Sequence, residues 1–173
     1  MRYNIFSEIH QPVKLALLST CITLSKKNEW NFKKAEKSIR QVADVVNTFY
    51  TQLQIEEQHL LPLVFVYEPS VWDVFARQHR QLVAMADKLQ QLIYSTKQTE
   101  DVIEKFTAMI EIDSIYNEFI MANYNHMDEE EEILNEILWQ YYSDETLQSI
   151  VKTKTPAVLV QQAGKLVYTA TAA

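Results

Sequence analysis

Imidazole and carboxylate side chains are the donors with which proteins bind transition metals, and this chain places a few of them where water would not normally meet them. It has four histidines: His10, His59, His79 and His126. Three of these, His10, His79 and His126, fall one per amphipathic segment, each on the apolar face. Glu56 and Glu130 lie on the apolar faces of two segments. Inward His and Glu drawn from several helices is how a helical bundle builds a metal site in its core.

The spacing is that of helix neighbours. His126-x3-Glu130 puts both side chains on one face, one turn apart. A buried carboxylate without a partner is costly, so Glu130 calls for a donor or a cation. At 100° per residue, Asp128, Glu131 and Glu132 are expected to point to solvent, with only Glu130 turned in. The second segment repeats the pattern as Gln52-x3-Glu56, with Gln where the fourth has His. Glu56-x2-His59 has the Glu-x-x-His spacing of ferritin-like carboxylate bundles. That site needs a second such pair, and Ala76 and Asn123 stand where its glutamate would precede His79 and His126. Gln52 and His59 remain secondary candidates.

The elements that must carry these residues are helices. One Gly and four Pro in 173 residues leave little for a turn-rich sheet fold. Apolar spacing of three and four predicts helices over residues 6–26, 32–64, 71–94 and 101–141. Pro12 is expected in a first turn, which would put His10 at the very start of its helix. Pro62 is expected to kink or end the second helix. Breaks are expected at 25–31, at Glu68-Pro69-Ser70 and at 95–100, where Thr99 would cap the fourth helix. The fourth helix should turn Phe106, Met109, Asp113, Tyr116, Phe119, Asn123, His126, Glu130, Ile133 and Ile137 inward. Trp30, Trp72, Trp139 and the terminal tyrosines are read as lids on the core. Ser143-Asp144 starts a new cap, and a short helix, an apolar piece at 158–167 and a frayed 169–173 come after it.

Charge and cysteine content narrow the function classes. A net charge of −7 without a Lys/Arg cluster disfavours nucleic acid and anionic membrane. Cys21 is alone, which excludes a disulfide framework and a thiolate cage. No run of about 18 apolar residues is present, and residues 1–10 lack the apolar stretch of a signal peptide. The expected location is cytoplasmic.

The chain resembles the hemerythrin-like (HHE cation-binding) proteins, four-helix bundles with a non-haem diiron core. The resemblance spans residues 3–142. It rests on Asn4-Ile5-Phe6…Ile9-His10, Glu56-Glu57-x-x-Leu60-Leu61-Pro62, Gln78-His79, His126-Met127-x-x-Glu130-Glu131-x-Ile133-Leu134 and Trp139-x-Tyr141-Tyr142. It implies an up-down-up-down bundle over residues 1–142, with residues 143–173 as a C-terminal extension. It also implies five histidine ligands and two bridging carboxylates, of which His10, Glu56, His79, His126 and Glu130 are present. Gln52 and Val83 stand where the other two histidines would be. One metal position would keep His10 with Gln52 beside it, and the other would keep His79 and His126.

The resulting expectation is a non-haem metal protein holding iron as a mono- or dinuclear centre, with Mn or Zn as other metals such donors suit. It would handle or sense oxygen, nitric oxide or iron, with a small diatomic molecule as its ligand and no enzymatic activity expected. The alternative is a metal-free bundle that has lost the site and serves as an interaction or regulatory module.

Overall fold

A computed structural model describes residues 2–25 and 32–154. Trp30, the connection before it and everything from residue 155 onward, including the 158–167 apolar piece and the 169–173 end, lie outside the described residues. The only regular secondary structure among those described is helix, with no strand. Helix α1 is Ile5–Ser25. Helix α2 is Phe32–Ile55, continued by a π turn at Glu56–Leu60 and a last turn at Leu61–Phe65. After a 3-10 turn at Pro69–Val71 comes α3, Trp72–Gln98. Helix α4 is Val102–Glu129, continued by a second π turn at Glu130–Leu134 and by Asn135–Tyr141. Helix α5 is Asp144–Lys154. No described helix is long and apolar enough to cross a membrane.

The four long helices pack side by side as a bundle. Helix α1 lies against α2 and α4, and α3 lies against α2 and α4. The apolar core divides into two clusters. One gathers Val13, Leu17, Val42, Phe49, Leu82, Leu89, Phe119 and Met127. The other gathers Ile5, Phe6, Ile9, Leu60, Leu61, Val64, Phe75, Leu134 and Leu138, with Leu147 of α5 packed into it. On α1, α3 and α4 the change from one cluster to the other falls at a His or Glu, and on α2 it falls between Leu53 and Ile55, just before Glu56. On α1 it is His10, between Ile9 and Val13; on α3 it is His79, between Phe75 and Leu82. A polar layer therefore crosses the core between two apolar ones.

Local sequence explains the helix ends and corrects three expectations. Asn4 caps α1 by accepting the Ser7 amide at 2.7 Å. Pro12 then falls inside the helix rather than in its first turn, and His10 sits more than a turn in. Complete burial of Ile5, Phe6 and Ile9 offsets the hydrogen bond that Pro12 removes. The cap of α4 is Asp101, not Thr99. The Asp101 carboxylate accepts the Ile103 and Glu104 amides at 2.7 and 3.0 Å, while Thr99 accepts the Asp101 amide and donates to Glu104. Helix α3 runs four residues beyond its expected end. Thr96 there is buried and donates to the Leu92 carbonyl, so a polar residue stays in the helix by bonding its own backbone.

Both π turns begin on an inward glutamate, and π turns concentrate at functional sites. Each adds a residue to its turn and rotates the face of the helix beyond it. After Glu130 the inward residues are Leu134 and Leu138, fully buried, while Ile133 is 41% exposed. The expectation of Ile133 as inward is corrected accordingly, Ile137 is partly buried against the second cluster, and Phe106, also exposed, drops out because it lies near the open end of α4. After Glu56 the inward residues are Leu60 and Val64, and His59 is only half-buried. In the first π turn the Leu61 amide reaches back to the Glu56 carbonyl. Pro62, which has no amide hydrogen to give, comes immediately after.

Asp101→Ala removes the acceptor for two otherwise unbonded amides. It should lower unfolding free energy by about 1 kcal/mol in urea denaturation while leaving metal content unchanged, since the cap lies far along α4 from Glu130.

Candidate metal centre

Each long helix delivers part of one buried cluster. Helix α1 supplies His10, α2 supplies Gln52 and Glu56, α3 supplies His79, and α4 supplies His126 and Glu130. All six are at most 4% exposed. Glu56, His79, His126 and Glu130 each turn a donor atom into a space where these atoms lie within 4.8 Å of one another. This buried group could hold a metal ion. His10 adjoins it, with its Nε2 at 2.9 Å from Glu56 Oε1 and 3.2 Å from Glu130 Oε2.

The separations are those of a coordination shell. His79 Nε2 lies 3.0 Å from His126 Nε2. It lies 3.4 Å from Glu130 Oε1 and 3.7 Å from Glu56 Oε2. His126 Nε2 lies 3.4 Å from Glu130 Oε2. Donors bound at about 2.1 Å to one ion stand roughly 3.0–3.4 Å apart along the edges of an octahedron or tetrahedron. Both carboxylates face two ways. Glu56 sends Oε1 toward His10 and Oε2 toward His79, which is the placement a bridging carboxylate needs.

Three buried polar atoms test whether a cation fits. Neither oxygen of Glu130 makes an aligned hydrogen bond, although three imidazoles stand around it, and Gln52 Oε1 also has no partner. Unmet acceptors of this kind are rare in cores, and all three border the same cluster. The donor set, imidazole with carboxylate, suits Fe, Mn or Zn. The residues present therefore fit a metal ion.

Outer contacts fix which ring nitrogen faces inward. His10 Nδ1 donates to Glu131 Oε1 at 2.8 Å, and His126 Nδ1 donates to Gln78 Oε1 at 2.8 Å. Gln78 in turn donates to Glu129 Oε2 at 2.6 Å. His79 Nδ1 has a longer contact, 3.4 Å, to Glu57. With Nδ1 keeping its proton on these outer partners, Nε2 is the nitrogen that would exchange a proton for a metal ion, the arrangement typical of metal-binding histidine.

Charge within the cluster is unevenly shared. Burial works against a proton on His10, but the Glu130, Glu131 and Glu56 carboxylates outweigh it and raise its pKa well above the ordinary value. Burial likewise opposes protonation of His79, and Glu130, with Glu56 and Glu57, overcomes it. Burial prevails at His126, whose pKa is pushed down. Burial would raise Glu130, yet the His126, His10 and His79 rings around it hold it below the usual carboxylate range. One proton can bridge the 3.0 Å contact between His79 Nε2 and His126 Nε2; a metal ion can replace that proton.

Several contributors are missed in the sequence reading. Glu131 is expected at the surface but is half-buried, holding His10 and accepting Lys14 Nζ at 2.8 Å. The π turn opens at Glu130 and swings Glu131 toward α1. Asn135 is fully buried. It accepts the Ile5 amide at 3.1 Å and donates to Asn4 at 2.6 Å and to the Glu131 carbonyl at 2.9 Å. This asparagine pair clamps the start of α1 to the π turn and sets His10 against Glu130. The sequence signal was an Asn in an otherwise apolar face, one residue after Leu134. Tyr116 is buried in the apolar cluster ten residues before His126, and His59 takes no part in the group.

No protein-family model matches the chain, and no curated protein matches it either. The class that fold and site define is a helical bundle with a buried His/Glu cluster able to hold a metal ion.

His126→Leu separates a metal-holding cluster from a merely hydrogen-bonded one. In metal-free protein it should lower the melting temperature modestly, because it removes the donor to Gln78 Oε1 and one of the rings around Glu130. With metal present, the variant should lose the rise in melting temperature that the wild type shows. Differential scanning calorimetry in chelator and in excess Zn2+ reads both.

Proposed function

We propose that the chain is a hemerythrin-like non-haem metal protein. Its helices would form the up-down-up-down bundle of that family, and its metal would be iron. The observation that carries this is the pair of buried carboxylates, Glu56 and Glu130, meeting three histidines from three other helix positions with Glu130 lacking any aligned hydrogen bond. A dication there neutralises two charges that an apolar core would otherwise exclude.

The roles of the residues are set by their positions. Glu56 and Glu130 span the cluster and would bridge. His79 and His126 would bind one side, and His10 the other. Glu131, Gln78 and Glu57 hold the rings in orientation from outside. Phe75 lies against His126 with ring centroids 6.1 Å apart and excludes water from that side. Bound iron would supply reversible redox chemistry and open positions for a small uncharged ligand such as dioxygen or nitric oxide. The fully buried setting and the apolar layers above and below suit such a ligand better than a charged or bulky substrate. The role we infer is sensing or handling of these molecules, or of iron itself, in a cytoplasmic protein.

Anaerobic titration of the metal-free chain with Fe(II), then admission of air, tests the reading. We expect one to two irons per chain and, at two, a near-ultraviolet charge-transfer band after oxidation. Absence of any iron uptake by a folded protein would leave the alternative, a metal-free interaction module, as the better account.

A further inference from the structure

We propose that the two halves of this cluster are chemically unequal, and that the His10–Gln52 half is an oxygen-rich position selecting a harder divalent cation, of the Mn2+ class, than the His79–His126 half. This rests on the metal-binding reading above. The His79–His126 half offers two imidazole nitrogens and carboxylate oxygens from Glu56 and Glu130. The other half offers one imidazole, His10 Nε2, with Glu56 Oε1 at 2.9 Å and Glu130 Oε2 at 3.2 Å. Its remaining neighbour is Gln52, 2% exposed, whose Nε2 lies 2.6 Å from the same Glu56 oxygen and whose Oε1 has no partner.

That orphan oxygen is the independent sign. A half-turn of the amide exchanges its two ends, presenting Oε1 to the spot where His10 and Glu56 converge. An amide oxygen is a neutral, hard donor. It leaves the position with one nitrogen and three oxygens from the protein. Carboxylate and carbonyl ligands suit Mn2+ and Mg2+, whereas imidazole favours Zn2+, Fe2+ and later metals. The retained imidazole favours Mn2+ over Mg2+, which is held mainly through oxygen and its own waters. On the opposite half, Val83 lies one turn beyond His79 on α3 and packs into the apolar cluster, so no oxygen donor is added there. The amide therefore sets the difference between the halves.

The test uses the full chain, loaded first with one equivalent of Zn2+ and then titrated with Mn2+, free Mn2+ being read by its room-temperature electron paramagnetic resonance signal. The expected result is one Zn2+ and one Mn2+ per wild-type chain. Gln52→Leu should weaken Mn2+ by roughly tenfold or more, well beyond any change in the first Zn2+. Gln52→His should convert the second position to a Zn2+ site, raising tight Zn2+ from one to two per chain. Two equally tight Zn2+ in the wild type, or Mn2+ affinity indifferent to both substitutions, overturns the inference while leaving a metal protein. Failure of the first Zn2+ to bind overturns the metal reading itself. Circular dichroism of each variant confirms that a lost site is not a lost fold.

Discussion

Two carboxylates in the middle of an apolar core are the constraint around which this structure is arranged. Glu56 and Glu130 are at most 1% exposed, and a lone buried charge is among the costliest groups a core can hold. The surrounding features act to compensate them. Three imidazoles stand within 3.7 Å of their oxygens. The apolar core parts into two clusters so that the polar groups share one layer. Helices α2 and α4 both break their α register at the glutamates themselves. Well-packed apolar residues of similar volume would often serve stability as well or better than a buried charged cluster.

The π turns connect backbone to chemistry. Each inserts extra length where a glutamate enters the core, and each re-aims the helical turns beyond it. The second also brings Glu131 to His10 and places Asn135 to bind the beginning of α1. The geometry of His10 on α1 thus depends, through Glu131, on a backbone irregularity in α4. Neighbouring Lys14 holds Glu131 and Asp128 at 2.8 and 2.9 Å, tying the outer edge of the same joint. Arg2 closes the end of the bundle, bonding Asp144 at 3.0 Å and the carbonyls of Trp139 and Tyr142.

Much of this was legible in the sequence. His10, Glu56, His79, His126 and Glu130 could be placed on inward faces because a helix of constant period carries its pattern for many turns, and Val13, Leu17, Leu82 and Phe119 are buried as that period requires. Where the period changes, the pattern misleads: Ile133 and Leu134 exchange faces because a π turn has no hydrophobic signature of its own. Glu131 sits in a run of five acidic residues, Asp128 to Glu132, and nothing in such a run distinguishes the one that meets a histidine on another helix. Pro12 misleads for a related reason. Its cost is local, whereas the burial of Ile5, Phe6 and Ile9 that overrides it is a property of the assembled core.

The central claim is that His79, His126 and the two glutamates, with His10 beside them, gather around a metal ion. X-ray absorption at the iron edge of the loaded chain tests it most directly. The account predicts a first shell of nitrogen and oxygen at about 2.0–2.2 Å, with the outer scattering of two or three imidazole rings and no sulfur. An all-oxygen shell without imidazole scattering, or a shell containing sulfur from Cys21, would contradict it.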